Sequence, residues 1–91
     1  DEWGTTFEYA ALGVQSLLAA CQAVHLPVPE VGYELADSDG GIVAAAELAW
    51  ETARVAVLLS SQADGQAAFE EAGWKTFTPG EQKALLGELI T

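Results

Sequence analysis

The chain predicts an α/β fold, a mixed four-stranded sheet in α-β-β-β-α-β-α order with helices on both faces. Three observations carry that expectation. From Gly32 to Ser60 the chain reads as three consecutive strands joined by two tight connections. The segment before them repeats apolar residues at helical spacing. After them, a helix-length segment separates the third strand from a short fourth, the pattern of a crossover connection.

A first helix is expected from Thr5 to about His25, with Thr5-x-x-Glu8 as its capping box. Phe7, Ala11, Val14, Leu18 and Cys21 form its apolar stripe, widened by Ala10, Leu17 and Val24. Leu26-Pro27-Val28-Pro29 ends it, because proline steers the preceding residue away from helical geometry. Cys21 and His25 stand four apart and could share a metal, but two ligands without a second pair make no closed zinc site.

Val31, Tyr33 and Leu35 alternate with Gly32, Glu34 and Ala36, the period of a half-buried strand. Asp37-Ser38-Asp39-Gly40-Gly41 suits a hairpin turn, since these residues tolerate positive φ and bond their own backbone. Strict alternation would put Ile42, Ala44, Ala46, Leu48 and Trp50 on one face, with Val43, Ala45, Glu47 and Ala49 on the other. Trp50 is expected to pack against a helix. Arg54 to Leu59 is apolar on both faces and should be the most buried strand. Asp64 is the expected N-cap of a helix through Glu71 or Ala72, anchored by Phe69 and closed by Gly73 at C′. Trp74 to Phe77 makes the fourth strand. Thr78-Pro79-Gly80-Glu81 starts the last helix, with Ala84, Leu85, Leu86, Leu89 and Ile90 on its apolar side.

Ninety-one residues at 51% apolar content fit one domain with a modest core. The absence of methionine and the abrupt start at Asp1-Glu2-Trp3 lead to the expectation of a piece of a longer polypeptide. No run approaches the roughly 18 apolar residues of a membrane span, and no signal-peptide pattern opens the chain. A single cysteine, Cys21, is compatible with the cytosol, and a cytoplasmic location is expected.

Charge narrows the partners. Fourteen acidic residues oppose three basic ones, Arg54, Lys75 and Lys83, for a formal net charge of -11. Phosphate backbones and anionic membranes are bound through Lys and Arg, so neither is an expected partner of this chain alone. The acidic surface serves solubility or faces a basic protein. Ser60 and Ser61 have no base within motif range, which leaves a triad unsupported. Asp39-Gly40-Gly41 is a turn and no phosphate cradle.

Ala46-Glu47-Leu48-Ala49-Trp50, Arg54-Val55-Ala56-Val57-Leu58-Leu59-Ser60 and Ala72-Gly73-Trp74 carry a resemblance. Together with the element order they resemble the PD-(D/E)xK restriction-endonuclease-like superfamily, closest to the branch of the very-short-patch-repair endonucleases. There the second strand ends like V-D-(F/L)-A-W, the third reads like (K/R)-(L/V)-A-V-E-V-D-G, and a later helix ends in G-W. Glu47 takes the aspartate position. The likeness spans most of residues 5 to 78, and the segment also looks like the C-terminal tail of bacterial superfamily-2 helicases of phage-defence type.

The resemblance implies Mg²⁺ held between carboxylates on adjacent strands. This chain departs from it. Leu58 stands where the partner carboxylate belongs and Ser60 where another acid is frequent, and no lysine lies nearby on the strand. Glu47 is left as a remnant, with Glu34 on the neighbouring strand or Glu8 on the first helix as further acids that no spacing requires. The expectation is a catalytically degenerate accessory or docking domain of a larger bacterial DNA-processing protein, without a cofactor. Its partners would be other domains of that protein or a basic protein. An active Mg²⁺-dependent nuclease completing Glu47 with Glu34 or a partner chain is one alternative. An acidic protein that mimics DNA is the other.

Overall fold

The computed structural model describes residues 2–9 and 14–90 and, within them, the side chains of all but Glu2, Thr5, Phe7 and Tyr9. Its elements are α1 (Glu2–Tyr9), α2 (Gln15–Ala23), β1 (Glu30–Ala36), β2 (Ile42–Trp50), β3 (Val55–Val57), α3 (Gln66–Glu71), β4 (Lys75–Phe77) and α4 (Gln82–Ile90). The strands lie in the order β1-β2-β3-β4, antiparallel across the first two pairs and parallel between β3 and β4. The mixed α/β sheet expected from the sequence is therefore present. Among the described residues no helix is long and apolar enough to cross a membrane.

The expected first helix is two helices. Val14, just before α2, sits at φ -112°, ψ 3°, outside helical geometry. Thr5 lies inside α1 and not at its N-cap, because the helix already begins at Glu2. The half-buried Trp3 packs against the core and draws the helix start ahead of the local cap signal. Val14, Leu17, Leu18 and Cys21 are buried as the stripe predicts. Val24 is exposed, since α2 stops at Ala23, and Phe7, Ala10 and Ala11 lie outside the described side chains. His25 closes α2 in the left-handed region at φ 60°. There the Leu26 N–H reaches Cys21 O and the His25 N–H reaches Gln22 O, a Schellman motif with histidine at C′. The same motif ends α3, with Gly73 at C′ and the Trp74 N–H on Phe69 O.

The β1–β2 hairpin closes as its residues require. Asp37 Oδ1 accepts the N–H groups of Asp39 and Gly41, both at 2.9 Å, and Gly40 takes φ 84°. Strict alternation, however, breaks midway along the hairpin. The register sets Val31 opposite Leu48 and Tyr33 opposite Ala46, so Gly32 and Glu47 stand across from one another. On one side of that point Val31, Leu48 and Trp50 enter one core; on the other, Tyr33, Leu35, Ala44 and Ala46 enter the second. Gly32, at φ 71°, lets β1 turn its faces over there. Ile42 and Val43, at the hairpin end of β2, are both exposed, against the expectation for Ile42.

Strand β3 is wholly buried, in line with the sequence, but shorter than expected. Arg54 is a left-handed turn residue at φ 55°, and after Val57 the chain bends into a 3-10 turn, Ser60–Gly65. Gln62 Oε1 accepts the Leu59 N–H at the start of that turn. Asp64 is not the cap of α3; Gly65 holds that position. A Cβ on Gly65 would come within 2.7 Å of Ala44 Cβ, so no larger residue fits against β2 here. The last helix starts as expected, with Glu81 Oε1 accepting the Thr78 N–H, though its first turn, Pro79–Glu81, is 3-10. Leu85 is buried and Leu86 and Leu89 pack beside it, while Ala84 and Ile90 are exposed.

Two cores result. One is aliphatic, with Val14, Leu17, Leu18 and Leu85 laid on Leu48, Val55, Val57 and Trp50. In the other, Phe69 and Trp74 cover a floor of Ala44, Ala46, Ala49 and Ala56. Tyr33 joins them, its ring centroid 5.2 Å from Trp74 and 6.3 Å from Phe69. Small side chains on β2 and β3 make the room that these rings fill.

Candidate functional site

Glu47 is half-buried on β2. The register Leu48↔Val57, carried one residue further, brings Glu47 level with Leu58. Leu58 is buried in the alanine–aromatic core, and its N–H bonds to Phe77 O. Ser60 is exposed and opens the 3-10 turn. Glu34 is exposed on β1 opposite Ala45, two residues beyond Gly32, which faces Glu47. Glu8 is exposed on α1. Glu47 and Leu58 thus stand level on neighbouring segments, a carboxylate beside a buried leucine. Among the described residues no three His, Cys, Asp or Glu side chains gather where a metal ion could be held.

Cys21 and His25 have separate roles. The Cys21 thiol is fully buried, and burial pushes its pKa up to about 11. His25 is exposed and shapes the end of α2.

Two clefts flank the sheet's central strands. The smaller, about 80 Å³, lies at the carboxyl ends of the parallel pair β3 and β4, between Leu58, Ser60, Thr76 and Glu81. This is where open α/β sheets commonly bind ligands. Its only acid, Glu81, is already accepting the Thr78 N–H, and the space suits a few waters at roughly 30 Å³ each. The larger, about 450 Å³, is an open cleft at the opposite end of β2. Pro27, Val28, Trp50, Ala53 and Leu89 form its walls, with Glu30 and Glu51 as its acids. Trp50 Nε1 donates to Pro27 O at 2.7 Å and fixes one wall.

Beside this second cleft the Tyr33 hydroxyl donates to Glu51 Oε2 at 3.0 Å. Its pKa is raised, first by burial, then by the bond to Glu51 and the charges of Glu51 and Glu30, with Arg54 opposing. Sequence reasoning missed this grouping, because Glu30, Tyr33 and Glu51 share no motif and meet only through the hairpin. The one local signal was the Pro27-Val28-Pro29 run, a stiff segment leading into β1. No protein-family model matches the chain, and neither a curated protein nor a solved structure matches it.

Proposed function

We propose that the chain is a catalytically degenerate nuclease-fold domain that acts by docking onto protein, within a larger bacterial DNA-processing protein of helicase or phage-defence type. The observation that carries this reading is the neighbour of Glu47. A buried leucine, Leu58, occupies the level of β3 where a second carboxylate would complete a metal site. One carboxylate does not fix a hard divalent cation that takes six oxygen ligands, so water activation at a phosphate has no support here. The charge balance favours protein over nucleic acid. Of the three cations, Lys75 is paired with Glu88 at 2.7 Å and Arg54 donates to Ala72 O.

Calorimetry with Mn²⁺ tests the reading. The expected result is no stoichiometric binding by the wild-type chain. Tight binding that disappears in Glu47→Ala overturns the degenerate-nuclease reading in favour of an active one. Duplex DNA, titrated by fluorescence anisotropy near 0.15 M salt with Mg²⁺ present, is expected not to bind. Three cations limit any salt slope to about -3, against the repulsion of fourteen acids.

A further inference from the structure

We propose that the open cleft at the Trp50 end of the sheet receives a cationic side chain, arginine or lysine, presented by a basic protein partner. The inference deepens the docking reading and rests on it. The walls from Pro27, Val28, Trp50 and Leu89 are apolar, the surface along which the methylene stem of a basic side chain packs. The charged residues of the lining are Glu30 and Glu51, and no Lys or Arg is among them. Carboxylates beside an apolar trough match a cationic head on an aliphatic stem, where an uncharged side chain would leave the acids unanswered.

Among the described residues the chain's own cations do not pair with them. Arg54, three residues beyond Glu51, sends its guanidinium to Ala72 O at 2.9 Å. Lys75 is held by Glu88 on α4. Among the described residues neither Glu30 nor Glu51 has a salt bridge. Glu51 is instead oriented by the Tyr33 hydroxyl, and the Trp50–Pro27 bond fixes the adjoining wall, so the trough is formed before anything enters. At about 450 Å³ it lies within the range of small-ligand sites, and being open on one side it admits a side chain still attached to a folded surface. A net charge of -11 draws basic partners over distance and turns polyanions away.

The test is an NMR titration of the 91-residue chain with acetyl-Gly-Arg-Gly-amide and its lysine analogue, followed at the Trp50 indole N–H and the Glu51–Ala53 amides. Controls are the norleucine peptide, which keeps the stem without the charge, and ethylguanidinium, which is the head without the peptide. The expected result is saturable shifts confined to the cleft, with a Kd on the order of millimolar, from packing of the stem on the apolar wall together with the pairing to Glu30 and Glu51. Glu30→Gln with Glu51→Gln weakens that binding about tenfold or more, whereas Glu70→Gln with Glu71→Gln leaves it unchanged. Glutamine at 51 can still accept the Tyr33 hydroxyl, which keeps the fold intact for the comparison. Shifts spread over every acidic patch, or an unchanged Kd in the Glu30/Glu51 variant, overturn the proposal. So does equal binding of the norleucine peptide, and equal binding of ethylguanidinium removes the protein partner in favour of free cations. Glu47 does not line this cleft, so Mn²⁺ binding at Glu47 would defeat the degenerate-nuclease reading without touching this result.

Discussion

The sheet is covered on its two faces by different means. Toward α2 and α4 it presents branched aliphatic side chains, and the helices answer with Leu17, Leu18 and Leu85. Toward α3 it presents alanines, and three aromatic rings from β1, α3 and the residue before β4 spread over them. The first core is built by the apolar sides of α2 and α4 meeting one face of the sheet. The second takes its rings one each from a strand, a helix and a turn, and they fill the space that the alanines leave. A core of the first kind announces itself through periodicity; one of the second kind does not.

The largest effects will come from removing the main ring of each core. Trp50→Ala and Phe69→Ala should each lower unfolding stability by about 3–5 kcal/mol in urea titrations. If the two cores are separate, the double variant should lose the sum within about 0.5 kcal/mol. A clear departure from additivity would show that β2 and β3 transmit packing from one face to the other.

Alkaline pH probes chiefly the aliphatic core. The Cys21 thiol has a folded pKa of about 11 against an ordinary 9.0, so the unfolded chain ionises first. Its contribution is fully present below pH 9 and is lost as the pH rises through about 11. The loss is on the order of 2–3 kcal/mol, as a shift of that size implies. Cys21→Ala should flatten this part of the stability profile and leave a smaller decline from Tyr33, whose pKa is also raised. A profile with the same slope in both proteins would mean that the thiol is not buried.

Gly65→Ala probes the alanine side. Its new methyl meets Ala44 Cβ at 2.7 Å, and such overpacking should cost about 1–3 kcal/mol by thermal or urea unfolding. The Ala44→Gly background should recover part of that loss. The smallest change expected is a gain: His25→Gly relieves a left-handed side chain at the end of α2 and should stabilise by about 0.5–1 kcal/mol. No gain, or a loss, would mean that the imidazole itself contributes to the turn.

The two helix ends also mark what could be read from sequence. Gly73 at the end of α3 was legible because glycine is the usual residue at C′, whereas His25 in the same role carried no such signature. Thr78 and Glu81 were legible because that cap is completed within four residues. Thr5 and Glu8 offered the same letters, but the burial of Trp3 moved the helix start past them. The face switch at Gly32 and Glu47 was hidden, since alternation in β2 looks unbroken and only the partner strand carries the glycine. For the candidate site, the antiparallel pairing of β2 with β3 was legible, and its register brings Glu47 level with Leu58. The cleft was not legible, because Pro27–Glu30, Ala49–Ala53 and Leu89 come together only in the folded chain.

The turnover at Gly32 has a consequence for how copies of this molecule meet. Strand β1 is an outer strand of the sheet, the kind of border along which another chain can add itself hydrogen bond by hydrogen bond. A left-handed residue in its middle breaks the run of evenly spaced donors and acceptors, and exposed Glu30 and Glu34 stand on either side of the break. A second molecule approaching in register would meet its own carboxylates and an interrupted ladder. The border is thereby guarded against self-assembly into extended fibres, even though half of the chain is apolar.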